Sequence, residues 1–291
     1  MSKRSVEAVL APPAPHMVGD GFRVSNFFPS GYSMAQDRLS PFFLLDYNMP
    51  VDFSARKHPR GVGVHPHRGF ETVTFAFQGQ VAHHDSSGHS GVIREGDVQW
   101  MTAGSGVLHK EYHEEEFSRT GGLFHMAQLW VNLPAKYKME PPRYQGIAKD
   151  EMTVVFLPDG KSEARLVAGE FLGVKGPAKT WSPVIAVMLR VGAGGEAHFA
   201  LPSRWNSMAL MVEGAAVVNG DEAKPDHLVV FRNDGDEVDV TSAEGATLLV
   251  LSGEPLNEPI AAYGPFVMNT YDEVKQAFAD VAAGKFGVLE D

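Results

Sequence analysis

Cysteine is absent from the 291 residues. Disulfides, thiolate nucleophiles, iron–sulfur clusters and cysteine-bound zinc are excluded with it, so any bound metal has to sit on imidazole and carboxylate. That donor set suits iron, manganese, copper, nickel or zinc. Long apolar runs are missing too. No stretch approaches the roughly 20 residues a membrane-spanning helix needs. The start, MSKRSVEAVLAPPAPHMVGDGF, is basic but lacks the apolar segment of a secretion signal. There is no strong Lys/Arg run, and the formal net charge is -11. A negative surface repels phosphate backbones and anionic lipid, so neither nucleic acid nor membrane is an expected partner. A cytoplasmic protein is the expectation.

What is present is ordinary globular material: 44% hydrophobic and 21% charged residues, enough for a sizeable core, over a length that suits two domains. Short apolar runs such as ETVTFAFQG, HMAQLWVNLP, VIAVMLRVG, SMALMVEGAAVVNG and ATLLVLSG are bounded by Gly, Pro, Asp and Asn. Runs of that length, rich in Val, Phe, Thr and Leu, predict many short strands and hence an all-β sandwich or barrel. Helical spacing is convincing only near the end, in YDEVKQAFADVAAG, where Val274, Phe278 and Val281 recur and Gly284 can end the helix.

The stretch 136–149 is rich in Pro, Lys and polar residues and predicts a boundary. The expected domains are 1–145 and 146–291, the second ending in the helix. The halves look like an ordered repeat. Glu71 to Gly79 matches Asn206 to Gly214, GDVQWM resembles DHLVVF, and AQLWVNLP resembles TLLVLSGEP. Two copies of one antiparallel β-barrel is the economical reading.

The chemistry concentrates in GVGVHPHRGFETVTFAFQG and REGDVQWMTAGSGVLHKEYHEE. His65 and His67 are separated by one residue, as are His109 and Glu111, and then His113. Alternate residues of a strand share a face, so two antiparallel strands can bring three imidazoles and a carboxylate onto one ion and leave positions open. A single H-P-H would more often be a chance surface pair; two such pairs inside Gly-bounded strands reverse that weighting. Phe75 and Phe77 follow the inward parity of His65 and His67, provided the chain does not bulge near Gly69, and either wall an aromatic pocket or pack the barrel. His113 either lines the pocket or ends its strand beside the acidic run 114–116. His83, His84 and His89 are expected on a solvated turn.

The H-x-H, Glu71 and Gly sequence, together with Gly96 to His109, resembles the two cupin motifs. HPHRGFETVTF, DSSGHSG, GDVQWMTAGSGVLHKE and PFFLLDYNMP resemble the pirin family, with the densest match between Pro41 and Glu111. The resemblance implies two tandem cupin barrels of the jelly-roll, double-stranded β-helix kind. It implies one mononuclear metal, usually iron(II), in the N-terminal barrel, on His65, His67, His109 and Glu111. Glu71 stands where many other cupins place a carboxylate ligand, and is expected just behind the metal, hydrogen-bonded to a ligand histidine. Shifting the motif by the step that carries Gly79 onto Gly214 sets Ala200 against His65, Pro202 against His67 and Asn206 against Glu71, with Asp239 near His109. No metal is expected there, and His198 and His227 read as structural.

The resemblance also implies function. Some bacterial pirins are quercetin 2,3-dioxygenases, which makes a flavonol and O2 the expected substrates and Glu111 the expected general base. Other pirins act by contact with a transcription factor or metabolic enzyme, without turnover. A different cupin enzyme is a third reading. Two fused barrels resemble the dimer of single cupins, so a monomer is expected.

Overall fold

The computed structural model describes residues 2–290. The chain forms two compact units, and neither is a continuous half. One comprises Ala14–Met34, Phe42–Lys149 and Leu256–Asp291; the other comprises Met1–Pro13, Ala35–Pro41 and Asp150–Pro255. We refer to them as the N-terminal and C-terminal barrels.

Each barrel pairs a seven-stranded with a four-stranded antiparallel sheet. In the N-terminal barrel the large sheet runs Arg143–Ile147, Val98–Thr102, Phe70–Gln78, Gly122–Asn132, Phe42–Phe53, Phe22–Phe28, His16–Val18. The small sheet runs Gly61–His67, Val107–His113, Val81–Asp85, Ser90–Ile93. The C-terminal barrel repeats this order strand for strand: Val6–Leu10, Leu228–Phe231, Asn206–Gly214, Ala246–Gly253, Val184–Val191, Glu163–Ala168, Thr153–Phe156 in the large sheet, and Gly195–Ala200, Glu237–Ser242, Ala216–Val218, Asp221–Ala223 in the small one. The repeat read from Glu71–Gly79 and Asn206–Gly214 therefore names equivalent strands, and the all-β, two-cupin architecture holds.

The expected division at 145/146 needs correction at both ends of the chain. Val6–Leu10 pairs with Leu228–Phe231, taking in the C-terminal barrel the edge position that Arg143–Ile147 takes beside Val98–Thr102. The short C-terminal helix, Tyr271–Ala282, belongs to the N-terminal barrel's unit. A capping box of Thr270 and Glu273 starts that helix, satisfying backbone donors that would otherwise be bare. Its buried face is Val274, Ala277 and Asp280, whereas Phe278, expected in the apolar stripe, is 43% exposed.

The small sheets decide what each barrel holds. In Gly195–Ala200 and Glu237–Ser242 burial alternates, with Ala197, Phe199, Val238 and Val240 in the core and His198 and Asp239 outside. In Val107–His113 the buried set is Val107, His109, Glu111 and His113. The same period-2 geometry thus builds a dry hydrocarbon interior in one barrel and a polar one in the other.

Candidate metal centre

His65 and His67 lie on Gly61–His67, and His109 pairs directly with His65 across the ladder. The register slips between His109 and Glu111, where Gly63 and Val64 oppose the single residue Lys110. A bulge of this kind re-aims side chains. Here it lets Val62 pack into the apolar floor while His65 and His67 reach the site. The Gly63 carbonyl accepts a hydrogen bond from His65 Nδ1 at 2.8 Å and orients that ring.

The three imidazoles converge. Ring centroids are 4.2 Å apart for His65–His109, 4.6 Å for His67–His109 and 4.8 Å for His65–His67. One nitrogen from each lies within 4.8 Å of the others, a group that can hold a metal ion. Burial holds His67 and His109 well below the ordinary histidine range, reinforced by the neighbouring imidazoles, and lowers His65 as well. All three are therefore neutral and offer lone pairs. Both nitrogens of His109 and Nδ1 of His67 are buried without a hydrogen-bond partner. Unpaired buried polar atoms each cost about 1–3 kcal/mol. Three of them in one place, all of metal-ligating type, fit a cation.

Glu111 faces the same interior but is not one of that convergent group. Burial raises its carboxyl to about 7, opposed by hydrogen bonds from Gln128 and Thr74. Thr74 Oγ1 and Gln128 Oε1 are themselves 2.7 Å apart, so Glu111 belongs to a polar network reaching to the opposite sheet.

The aromatic wall is not the expected one. At Arg68–Gly69 the chain leaves the small sheet for the large one, and the parity of His65 and His67 does not carry through. Phe70 is the residue that meets His67, at 5.0 Å, with Trp130 at 5.1 Å from His67 and stacked on Phe70 at 4.1 Å. Phe43 stacks on Trp130 in turn. Phe75 alternates with Thr74 and lies on the other face of its strand, and Phe77 packs on His125. Glu71 also lies on that other face, accepting from Thr102 Oγ1 at 2.7 Å. His113 is fully buried: its Nε2 meets the Gly21 carbonyl at 2.7 Å, and Phe22, Phe53, Phe117 and Phe124 surround the ring. It is a floor residue, neither pocket wall nor solvated strand end.

His83 was missed. It is a strand residue, 1% exposed, paired with Glu111 and hydrogen-bonded through Nε2 to the Tyr144 hydroxyl at 2.6 Å. A Cβ at Gly91 would stand 2.9 Å from His83 Nε2 and 3.1 Å from that hydroxyl, so only glycine leaves room for the pair. In VAHHD, His83 shares the parity of Val81, a signal that the short run around it obscured.

Two antiparallel barrels of jelly-roll order define a bicupin whose first barrel carries three neutral imidazoles that can hold a metal ion. Family models agree with the geometry: the pirin model matches residues 21–131 and the pirin C-terminal cupin domain matches 186–287. The chain belongs to the pirin family. It is 45% identical over 271 residues to a Pseudomonas aeruginosa protein named "Putative quercetin 2,3-dioxygenase", covering 93% of this chain and 94% of that one. A crystal structure of quercetin 2,3-dioxygenase from Acinetobacter baumannii superposes with a TM-score of 0.93 at 44% identity, over 99% of this chain and 100% of that chain. A bacterial pirin from Escherichia coli, crystallised in complex with nickel(II), shares the fold with a TM-score of 0.63 at 20% identity, over 85% of this chain and 100% of that chain. No helix among the described residues is long and apolar enough to cross a membrane.

Proposed function

We propose that the protein is a metal-dependent dioxygenase able to open flavonols such as quercetin with O2, using one iron(II) held by His65, His67 and His109 with Glu111 beside them. The observation that carries this reading is the convergence of three neutral imidazoles, with both nitrogens of His109 and Nδ1 of His67 buried and without a partner, next to an aromatic wall. Relatives named for quercetin 2,3-dioxygenase support the substrate class. When bound, the ion supplies Lewis acidity toward a substrate hydroxyl and a redox couple.

The chain's own residues do the rest. Phe70 and Trp130, stacked on each other, form an apolar wall beside His67 that favours a flat aromatic substrate. Glu111 accepts the proton of the flavonol hydroxyl at a carboxylate oxygen, and Gln128 and Thr74 hold that carboxyl toward the interior. His65 is kept in its tautomer by the Gly63 carbonyl. The apolar floor of Phe22, Phe117 and Phe124 closes the barrel beneath the site and keeps it dry.

The test is anaerobic loading with iron(II), addition of quercetin and air, and measurement of oxygen uptake together with carbon monoxide release, with His67→Ala alongside. Turnover by the wild type alone is expected. A fully iron-loaded wild type that consumes no oxygen removes quercetin as substrate and leaves the non-enzymatic reading, contact with a protein partner, as the one to pursue.

A further inference from the structure

The turn that follows His67 is held by the far end of the chain. Arg68 N donates to the Pro265 carbonyl at 3.3 Å, and Val267 N donates to the Arg68 carbonyl at 3.1 Å. The Pro265 carbonyl also accepts a hydrogen bond from the His67 ring. Gly69 has a φ of +89°, and a Cβ there would stand 2.1 Å from the Val267 carbonyl oxygen. The turn is thus pressed against the Phe266–Met268 strand as closely as backbone allows.

Two buried cations lock that contact. Lys138 is 2% exposed, and its Nζ donates to the Gly69 carbonyl at 2.8 Å, the Val267 carbonyl at 2.7 Å and Asn132 Oδ1 at 2.6 Å. Burial lowers this amine to about 7, opposed by Glu258 and Glu273, and the three oxygen acceptors favour the ammonium, which alone carries three hydrogens. Arg68 is 4% exposed; its Nε donates to the Ser105 carbonyl at 2.7 Å and its Nη1 to Asp280 Oδ2 at 2.9 Å, with the guanidinium over the Phe286 ring. Asp280 takes further hydrogen bonds from Gln276 and Lys285, both at 2.8 Å, so the helix presents a fully engaged carboxylate.

We propose that the segment from Leu256 onward sets the metal affinity of the His65–His67–His109 centre, with Lys138 and the Arg68–Asp280 pair as positioning residues that fix His67. The inference rests on the reading of those imidazoles as ligands. Metal–nitrogen bonds tolerate shifts of only about 0.2 Å. A histidine one residue from a turn moves with the turn. Groups behind metal ligands change affinity by about 10- to 100-fold when removed.

The test is calorimetric titration of the full-length apo protein with nickel(II), with cobalt(II) absorption as a readout of ligand geometry. The wild type is expected to take one ion and His67→Ala none. Lys138→Met and Asp280→Asn, each checked for fold by circular dichroism, are expected to bind nickel at least about tenfold more weakly and to shift the cobalt spectrum. Arg4→Met is the control. Arg4 is an equally buried cation of the C-terminal barrel, donating to Ser207, Pro202, Ser203 and Trp205, so its loss should lower the melting temperature and leave the nickel affinity unchanged. If Lys138→Met does not fold, Asp280→Asn decides. Nickel binding that survives His67→Ala overturns both the centre and its brace. Binding lost in His67→Ala but within twofold of wild type in the folded brace variants overturns the brace alone.

Discussion

The strands Val107–His113 and Glu237–Ser242 occupy the same place in two barrels of identical strand order, yet one turns His109, Glu111 and His113 inward and the other Val238 and Val240. Their neighbours follow suit: His65 and His67 in one barrel, Ala197 and Phe199 in the other. The C-terminal barrel shows that this architecture closes around hydrocarbon alone. The polar interior of the N-terminal barrel is therefore a departure from the best-packed solution, retained at a cost of several unsatisfied nitrogens. Residues that lower stability and cluster in one place are what a site looks like before its ligand is added.

The comparison can be broken most forcefully in the hydrocarbon barrel. Phe199→Ala should lower unfolding free energy by about 3–5 kcal/mol, the usual cost of an aromatic cavity, with nickel content unchanged. Urea denaturation and metal analysis check both halves. A loss of metal would show that the two interiors are not independent. Next is His109→Leu, which replaces two unsatisfied buried nitrogens with hydrocarbon. It should abolish nickel binding and raise the stability of the apo protein by about 1–3 kcal/mol. An apo variant less stable than wild type would mean that those nitrogens have partners after all.

The smallest effect is expected at His198. Its Nδ1 meets Asp239 at 2.6 Å on the outer face, and the hydrogen bond to Asp239 raises its proton affinity. A raised folded value means that the stabilising contribution is fully present below the ordinary histidine value of 6.5 and disappears as pH rises through the folded value. The ring is largely exposed, so the contribution is small. His198→Ala should therefore cost a little stability at pH 6, nothing measurable at pH 9, and no metal at either. A stability gap that widens with pH would reverse the sign.

The offset that carries Gly79 onto Gly214 finds equivalent strands but misplaces their faces. It sets Ala200 and Pro202 against His65 and His67, whereas Ala200 points outward and the core positions are Ala197 and Phe199. A one-residue error in register reverses every side chain of a strand, and the connections through which the offset is counted differ in length, 68–69 in one barrel and 201–205 in the other. For the same reason Phe75 and Phe77 are assigned to the pocket by parity counted through Gly69, and Phe70, Trp130 and Phe43 are overlooked.

Local order was determined by the sequence itself. Short Gly-bounded runs dictate strands, i and i+2 spacing dictates that His65 and His67 share a face, and Thr270 with Glu273 dictates where the last helix starts, because each depends on neighbours a few residues away. Tertiary structure alone decided which face is inside, that Val6–Leu10 completes the barrel at the other end of the chain, that Glu111 turns to Gln128 and Thr74, and that Lys138 and Asp280 lock the turn after His67. Those outcomes depend on contacts between residues far apart in the chain, and no local spacing encodes the bulge, the sheet-to-sheet crossing or the partner that a buried charge will find.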